Sequence, residues 1–328
     1  MCEAPIDVAR RDVRPRRPAL LPIRHSVVVG SAGIDSFTVV SFNVNGIRAA
    51  RRRGFDRWLT ERSADIVAIQ ELRCPAGELG DFPGYSVAAD VGSVAGRNGV
   101  AVLTRLPPVA VRTWVTHPPR ARGLREFATH GRYLEVDLAD RPVTVACLYL
   151  PKGGLPAERQ RRGTMRDQPD GGAKYERKQR FLTSFARELN RNRVAALRAG
   201  REFLLAGDLN IAHTQHDVTN WRAARTMDGF LPEDRDWFDA ILGRRRLIDV
   251  VRRVHGDHAG PLTWWSWAGQ SFTKDVGWRV DHQLATPDLA RRAIEVVVDK
   301  EPSPADRLSD HAPLVVTYRE CAAGGSGP

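Results

Sequence analysis

The chain has 328 residues, a formal net charge of +11 and a pI near 10.1. That length allows one large α/β domain or two small ones around a substantial core, and no apolar run approaches the length of a membrane span. A basic excess of this size favours a polyanionic partner, nucleic acid or an anionic surface. It belongs mainly to the body of the chain, because residues 1–35 hold six arginines against four acids. The four cysteines (Cys2, Cys74, Cys147 and Cys321) form no C-x-x-C pair. That pattern argues against a disulfide framework or a zinc site and suits a reducing compartment. Ala19–Ile23 is too short, and too broken by Pro22, to be the apolar stretch of a signal peptide.

Residues 1–35 mix Arg, Pro and Gly without periodicity, and are expected to be a disordered extension. Order is predicted to begin at Phe37, with one catalytic domain over 36–319 and a flexible tail over 320–328. Phe37–Phe42 reads as a strand running into a turn at Asn43. Phe55–Arg62 reads as a short helix, and Ala64–Gln70 as a buried strand ending at Glu71. Strands are predicted at Gly99–Thr104, Tyr133–Leu138 and Val143–Leu150. Residues 152–173, polar and glycine-containing, read as a surface loop. Lys174–Asn190 places Phe181, Leu182, Phe185 and Leu189 at helical spacing. Phe203–Ala206 is a strand leading to Asp208, and Pro232 with the acids after it opens a helix. Val280–Ala285 and Leu314–Tyr318 complete the strands. Several strands follow one another directly, which points to mixed sheets packed face to face with helices outside.

Apolar strands end abruptly in Asn43, Glu71, Tyr149, Asp208 with Asn210, Asp281, and Asp310 with His311. Loops at strand ends are where sites are built on a rigid frame. Singly, such residues are turn formers or helix caps. Together they supply hard oxygen donors and one imidazole without a cysteine, a set that suits Mg²⁺ or Mn²⁺ better than zinc.

The stretches SFNVNGIRA (41–49), DIVAIQELR (65–73), GVAVLTR (99–105), GRYLEVDL (131–138), YLPKG (149–153), GDLNIAH (207–213), FLPEDRDWF (230–238), TWW (263–265), GWRVDH (277–282) and SDHAPL (309–314) resemble, in order, the exonuclease III class of apurinic/apyrimidinic endonucleases, within the endonuclease/exonuclease/phosphatase superfamily. The resemblance spans about residues 37–319. It implies a four-layered α/β sandwich and a Mg²⁺-dependent DNA phosphodiesterase, with Mn²⁺ as a substitute metal. Such an enzyme cuts 5′ to abasic sites and trims duplex 3′ ends. It implies double-stranded DNA as partner, a monomer and a role in base-excision repair; the lack of an export signal or a membrane span adds the expectation of a bacterial cytoplasm, at the nucleoid, with no membrane.

Residue by residue, the resemblance makes Glu71 the principal metal carboxylate, with Asn43 and Asn45 beside it. Asp208 activates the attacking water or protonates the leaving 3′ oxygen, and Asn210 holds the water or the phosphate. Asp310 orients the His311 imidazole, and His311 binds the scissile phosphate or acts as base if neutral. These four residues count among the metal neighbours as well. Tyr149 donates to a phosphate oxygen, and Asp281 contacts metal or His311. Arg73 and Lys152 are expected at the substrate. Trp264, Trp278 and Val280 are expected to wall a small apolar hole for a sugar lacking its base, a recognition by shape. At least one of Trp265 and Trp267 is expected in the core.

The chain departs from the pattern in three places. Ala224 and Met227 replace polar residues of a DNA-contacting loop over 220–229, and Lys152 replaces a smaller polar residue. The 153–173 loop is long, with Arg159, Arg161, Arg162 and Arg166. The rival readings are another superfamily phosphodiesterase, acting on RNA or lipid, and a non-catalytic DNA-binding module.

Overall fold

The computed structural model describes residues 35–94, 96–161 and 169–320. The expected N-terminal extension up to residue 34, Arg162 and Arg166 of the long loop, and the tail from residue 321 lie outside the described residues. In chain order the regular elements are β1 (Ser36–Asn43), α1 (Ile47–Arg52), α2 (Phe55–Arg62), β2 (Ile66–Gln70), β3 (Ser86–Asp90), β4 (Val100–Thr104), β5 (Ala110–Thr113), β6 (Tyr133–Asp137) and β7 (Val143–Tyr149). They continue with α3 (Ala173–Arg198), β8 (Glu202–Asp208), α4 (Trp221–Ala224), α5 (Pro232–Ile241), β9 (Ile248–Asp249), α6 (Val250–His255), β10 (Asp281–Ala285), α7 (Pro287–Arg292), β11 (Ala293–Val298) and β12 (Leu314–Arg319).

The strands form two mixed six-stranded sheets, ordered β11-β12-β1-β2-β4-β3 and β5-β6-β7-β8-β10-β9. Their inner faces meet in an apolar layer that includes Val39, Ala68, Val136, Val145, Leu204 and Val316. The outer face of the first sheet buries Phe42, Val67 and Leu103 with Ile47, Phe55 and Leu59 of α1 and α2. The outer face of the second buries Leu148, Phe203 and Leu205 with Phe181, Phe185 and Leu189 of α3 and Phe238 of α5. These are the face-to-face mixed sheets that the order of elements implies, in the four-layered sandwich that the resemblance implies.

The central strands β2, β4 and β7 are buried at every position, which is why they read as continuous apolar runs. The helix expected over Lys174–Asn190 continues to Arg198. Ala195 to Arg198 keep it going with good helix formers, and the chain turns at Gly200, whose φ is +72°.

Candidate active site

The two sheets present their strand ends at one place. β1 and β2 are parallel, with Asn43 beside Gln70 and Glu71 next in the chain. β7 and β8 are parallel, with Tyr149 beside Asp208. β10 runs antiparallel to β8, which sets Asp281 directly opposite Asp208. The Asn43 amide crosses from one sheet to the other. Its Nδ2 donates to Asp208 Oδ2 at 2.8 Å and to Glu71 Oε1 at 3.1 Å. The backbone here is bent hard: Asn45, Glu71, Arg73 and Asn210 all have φ between +48° and +57°. A left-handed Glu or Arg costs of order 1–3 kcal/mol and persists only where its surroundings hold it.

His311 Nδ1 lies 2.8 Å from Asp281 Oδ2, and its Nε2 faces Asp208 Oδ2 at 3.9 Å. Asp310, assigned from sequence to orient His311, is turned elsewhere. Its Oδ1 accepts from Asn45 Nδ2 at 2.7 Å and its Oδ2 from Trp264 Nε1 at 3.1 Å. Adjacent side chains on an extended segment point apart, so the imidazole meets an aspartate 30 residues away in sequence.

Burial disfavours the imidazolium, but Asp281, and behind it Asp208 and Asp310, outweigh burial and lift the His311 pKa to about 10. Asp208 is pushed well above the carboxylate range, first by burial and then by Asp281 and Glu71, against the pull of His311. The Tyr149 hydroxyl is raised for the same reasons, burial first and then the Glu71 and Asp208 charges, so it stays a proton donor. Asn210 donates its amide to Asp208 Oδ1 at 2.8 Å and its side-chain Nδ2 to Leu150 O at 3.0 Å.

Does this set fit a divalent cation? Asp208, Asp281 and His311 each offer a ligand atom, all within 4.8 Å of one another. Asp281 Oδ1 is buried with no hydrogen-bond partner, while Glu71 Oε2 is ion-paired with the Arg73 guanidinium. A buried carboxylate oxygen without a partner, crowded by like charge, is the surrounding a hard cation stabilises. The residues fit.

Behind the cluster, the Thr263 hydroxyl accepts from the Val280 and Asp281 amides, both at 3.2 Å. Trp264 and Trp278 exchange backbone hydrogen bonds, and Trp264 also bridges to His311. Both indoles are half-buried and Val280 is buried. Trp265 is the core residue of its pair, 1% exposed and bonded through Nε1 to Asp275 at 2.9 Å. Trp267 is 47% exposed, with the Arg53 and Arg307 guanidiniums over its ring. Lys152 and Arg73 are exposed beside the site. A cavity of about 590 Å³ between β5, β6 and α3 contains none of these residues.

Sequence reasoning missed the supports. Arg132 lies under Tyr149, with its guanidinium 5.0 Å from the ring and Nη1 donating to the Tyr149 carbonyl at 3.1 Å. Arg279, fully buried, binds Asp217 at 2.7 Å and Asp249 at 2.7 Å, and so anchors the strand that carries Asp281. The signal available for each was an arginine beside large apolar residues, Tyr133 and Leu134 in one case and Trp278 and Val280 in the other.

Facing sheets whose carboxylates and one imidazole converge at the strand ends define a class of α/β-sandwich hydrolase sites. The chain belongs to the Endonuclease/Exonuclease/phosphatase family, whose pattern matches residues 40–311. It is 29% identical to an exodeoxyribonuclease of Bacillus subtilis (strain 168), over 84% of this chain and 97% of that one. It is 27% identical to the DNA repair nuclease APEX1 of Danio rerio, over 85% and 81%. Among solved structures, an AP endonuclease from Archaeoglobus fulgidus superposes with a TM-score of 0.69 at 25% identity, covering 86% of this chain and 99% of that one.

Proposed function

We propose that the chain is a Mg²⁺-dependent DNA phosphodiesterase that incises 5′ to abasic sites, leaving a 3′ hydroxyl, and trims duplex 3′ ends. The observation that carries the reading is the union of an unpartnered buried carboxylate oxygen on Asp281 with an Asp281–His311–Asp208 cluster beside two half-buried indoles. The named relatives act on DNA, and the +11 charge suits such a partner. Among the described residues no helix is long and apolar enough to cross a membrane. The enzyme works as a monomer on double-stranded DNA at the bacterial nucleoid.

Glu71 and Asp281, with Asn43 and Asp208 alongside, would hold Mg²⁺ or Mn²⁺, which when bound neutralises charge on the phosphate. The residues do the rest. His311, oriented by Asp281, binds a non-bridging phosphate oxygen. Tyr149 donates to another. Asp208, with its raised pKa, takes a proton from the attacking water or gives one to the departing 3′ oxygen. Asn210 holds Asp208 through its amide and the water through its side chain. Trp264, Trp278 and Val280 form the wall that a base attached to the sugar would strike.

The test is a duplex carrying one tetrahydrofuran abasic analogue, incubated with Mg²⁺ or with EDTA and sized on a denaturing gel. A single Mg²⁺-dependent cut immediately 5′ to the analogue is expected. Uncut duplex, or cutting that persists in EDTA, overturns the reading.

A further inference from the structure

Lys178, in the second turn of α3, is 1% exposed. A lysine is seldom buried unless anions are held in place around it. Here there are two: Nζ donates to Asp228 Oδ1 at 2.9 Å and to Asp234 Oδ2 at 3.1 Å. Asp234, wholly buried at the start of α5, also accepts the Gly229 amide at 3.0 Å. Burial by itself would lower the Lys178 pKa, and the two carboxylates more than reverse that.

The turn held in this way backs directly onto the site. The Gly229 carbonyl accepts the Ala212 amide at 2.9 Å. Gly229 has φ +85°, and a β-carbon there would stand 2.7 Å from Asn210 O and 3.6 Å from Trp278 Cζ3. Nothing larger than glycine fits. Phe230 then meets the Trp278 ring edge-on at 6.2 Å. On its other side the same lysine is overlaid by Gly153, where a β-carbon would come within 2.5 Å of Lys178 Cδ and 2.8 Å of Asp228 Oδ1. Gly153 follows Lys152 and closes the segment that begins at Tyr149. One buried lysine therefore touches two segments that are far apart in sequence: its alkyl chain packs under Gly153, at the end of the segment carrying Tyr149 and Lys152, and its ammonium holds the turn packed behind Asn210 and Trp278.

We propose that Lys178 is a positioning residue: it clamps the 149–153 and 228–230 segments together, and so sets the places of Asn210 and the Trp278 wall. The inference rests on the reading of those two residues as phosphate- and sugar-side groups. A displacement of about 1 Å at such groups is enough to cost about a hundredfold in rate, whereas an ion pair that only stabilises the fold would leave selectivity alone.

The test compares wild type with Lys178→Met and with the triple variant Lys178→Met, Asp228→Asn, Asp234→Asn, which removes the orphaned charges. In Lys178→Met, hydrogen exchange should quicken over 149–154 and 208–231 while β1 and β2 stay protected. The ratio of abasic incision to cleavage of undamaged duplex should fall by about tenfold or more, with Mn²⁺ binding unchanged. The triple variant should regain melting temperature but not the ratio. If the triple variant regains both, or if exchange quickens everywhere while the ratio holds, Lys178 is structural ballast and the proposal fails. Should Lys178→Met not fold, the triple variant and the milder Asp228→Asn carry the same comparison. A wild type that leaves the abasic duplex uncut defeats the functional reading, and the exchange pattern still decides the clamp.

Discussion

His311 Nδ1 and Asp281 Oδ2 lie 2.8 Å apart, joining the turn before β12 to the first residue of β10. The pair holds the imidazole charged, with its Nε2 toward Asp208. Because the folded pKa is raised to about 10, the charge contributes stability fully below the ordinary histidine value, and that contribution is lost as pH rises through about 10. In the metal-free protein, nitrogen-15 spectra should show this ring doubly protonated at pH 8. In Asp281→Asn it should lose its proton at clearly lower pH, and incision should fall by about a hundredfold or more. An Asp281→Asn ring that stays charged to the same pH would remove Asp281 from this role.

Glu71→Gln keeps the size of the side chain and removes the charge a hard cation needs. Calorimetric Mn²⁺ affinity should drop and incision should fall by orders of magnitude, while affinity for the abasic duplex survives. Near wild-type cleavage by this variant would show the metal assignment to be wrong.

Trp278 and Trp265 separate recognition from packing. Trp265→Ala empties a core position, at a cost of about 3–5 kcal/mol, and both abasic incision and the melting temperature should fall. Trp278→Ala, at a half-buried wall, should lower abasic incision modestly and raise cleavage beside normal nucleotides relative to it, under single-turnover conditions. If the ratio of the two rates holds constant while stability drops, Trp278 is core and the wall is misplaced.

Lys152 is exposed beside Tyr149. A lysine on a DNA phosphate releases counterions on binding, so Lys152→Ala should weaken the complex and reduce the slope of log affinity against log salt by about one contact. An unchanged slope places this side chain off the DNA.

Asp217 sits between Arg279 and Arg252. Burial alone would raise its pKa, but Arg279 first and then Arg252 hold it far below the ordinary carboxylate value. Its charge therefore stabilises the fold above about pH 4, and that contribution drains away as pH falls below it. Asp217→Asn should cost about 3–5 kcal/mol at pH 7, and urea titrations should show the gap from wild type holding from pH 7 to about pH 5 and narrowing below about pH 4. A gap that does not narrow below about pH 4 would mean that the network is not held together by charge.

The chain by itself determined the central strands and the chemistry at their ends. The fully buried strands β2, β4 and β7 read as nearly continuous apolar runs, whereas β10, equally buried, carries Asp281, His282 and Gln283. Polar residues that break such runs, Asn43, Glu71, Asp208 and His311, therefore stand out in the order of amino acids alone. Edge strands do not. β3, β5 and β11 are mostly half-exposed and carry mixed side chains; the ladder offered by the neighbouring strand makes them extended, and no local pattern announces it. The same division runs through the site. Its residue types are local and legible, but which aspartate meets His311, that Lys178 carries its charge into the core, and that Arg279 anchors β10 depend on contacts between residues distant in sequence. Only the packing of two sheets against each other decides those contacts, because a buried charge takes whichever partner the fold brings within reach.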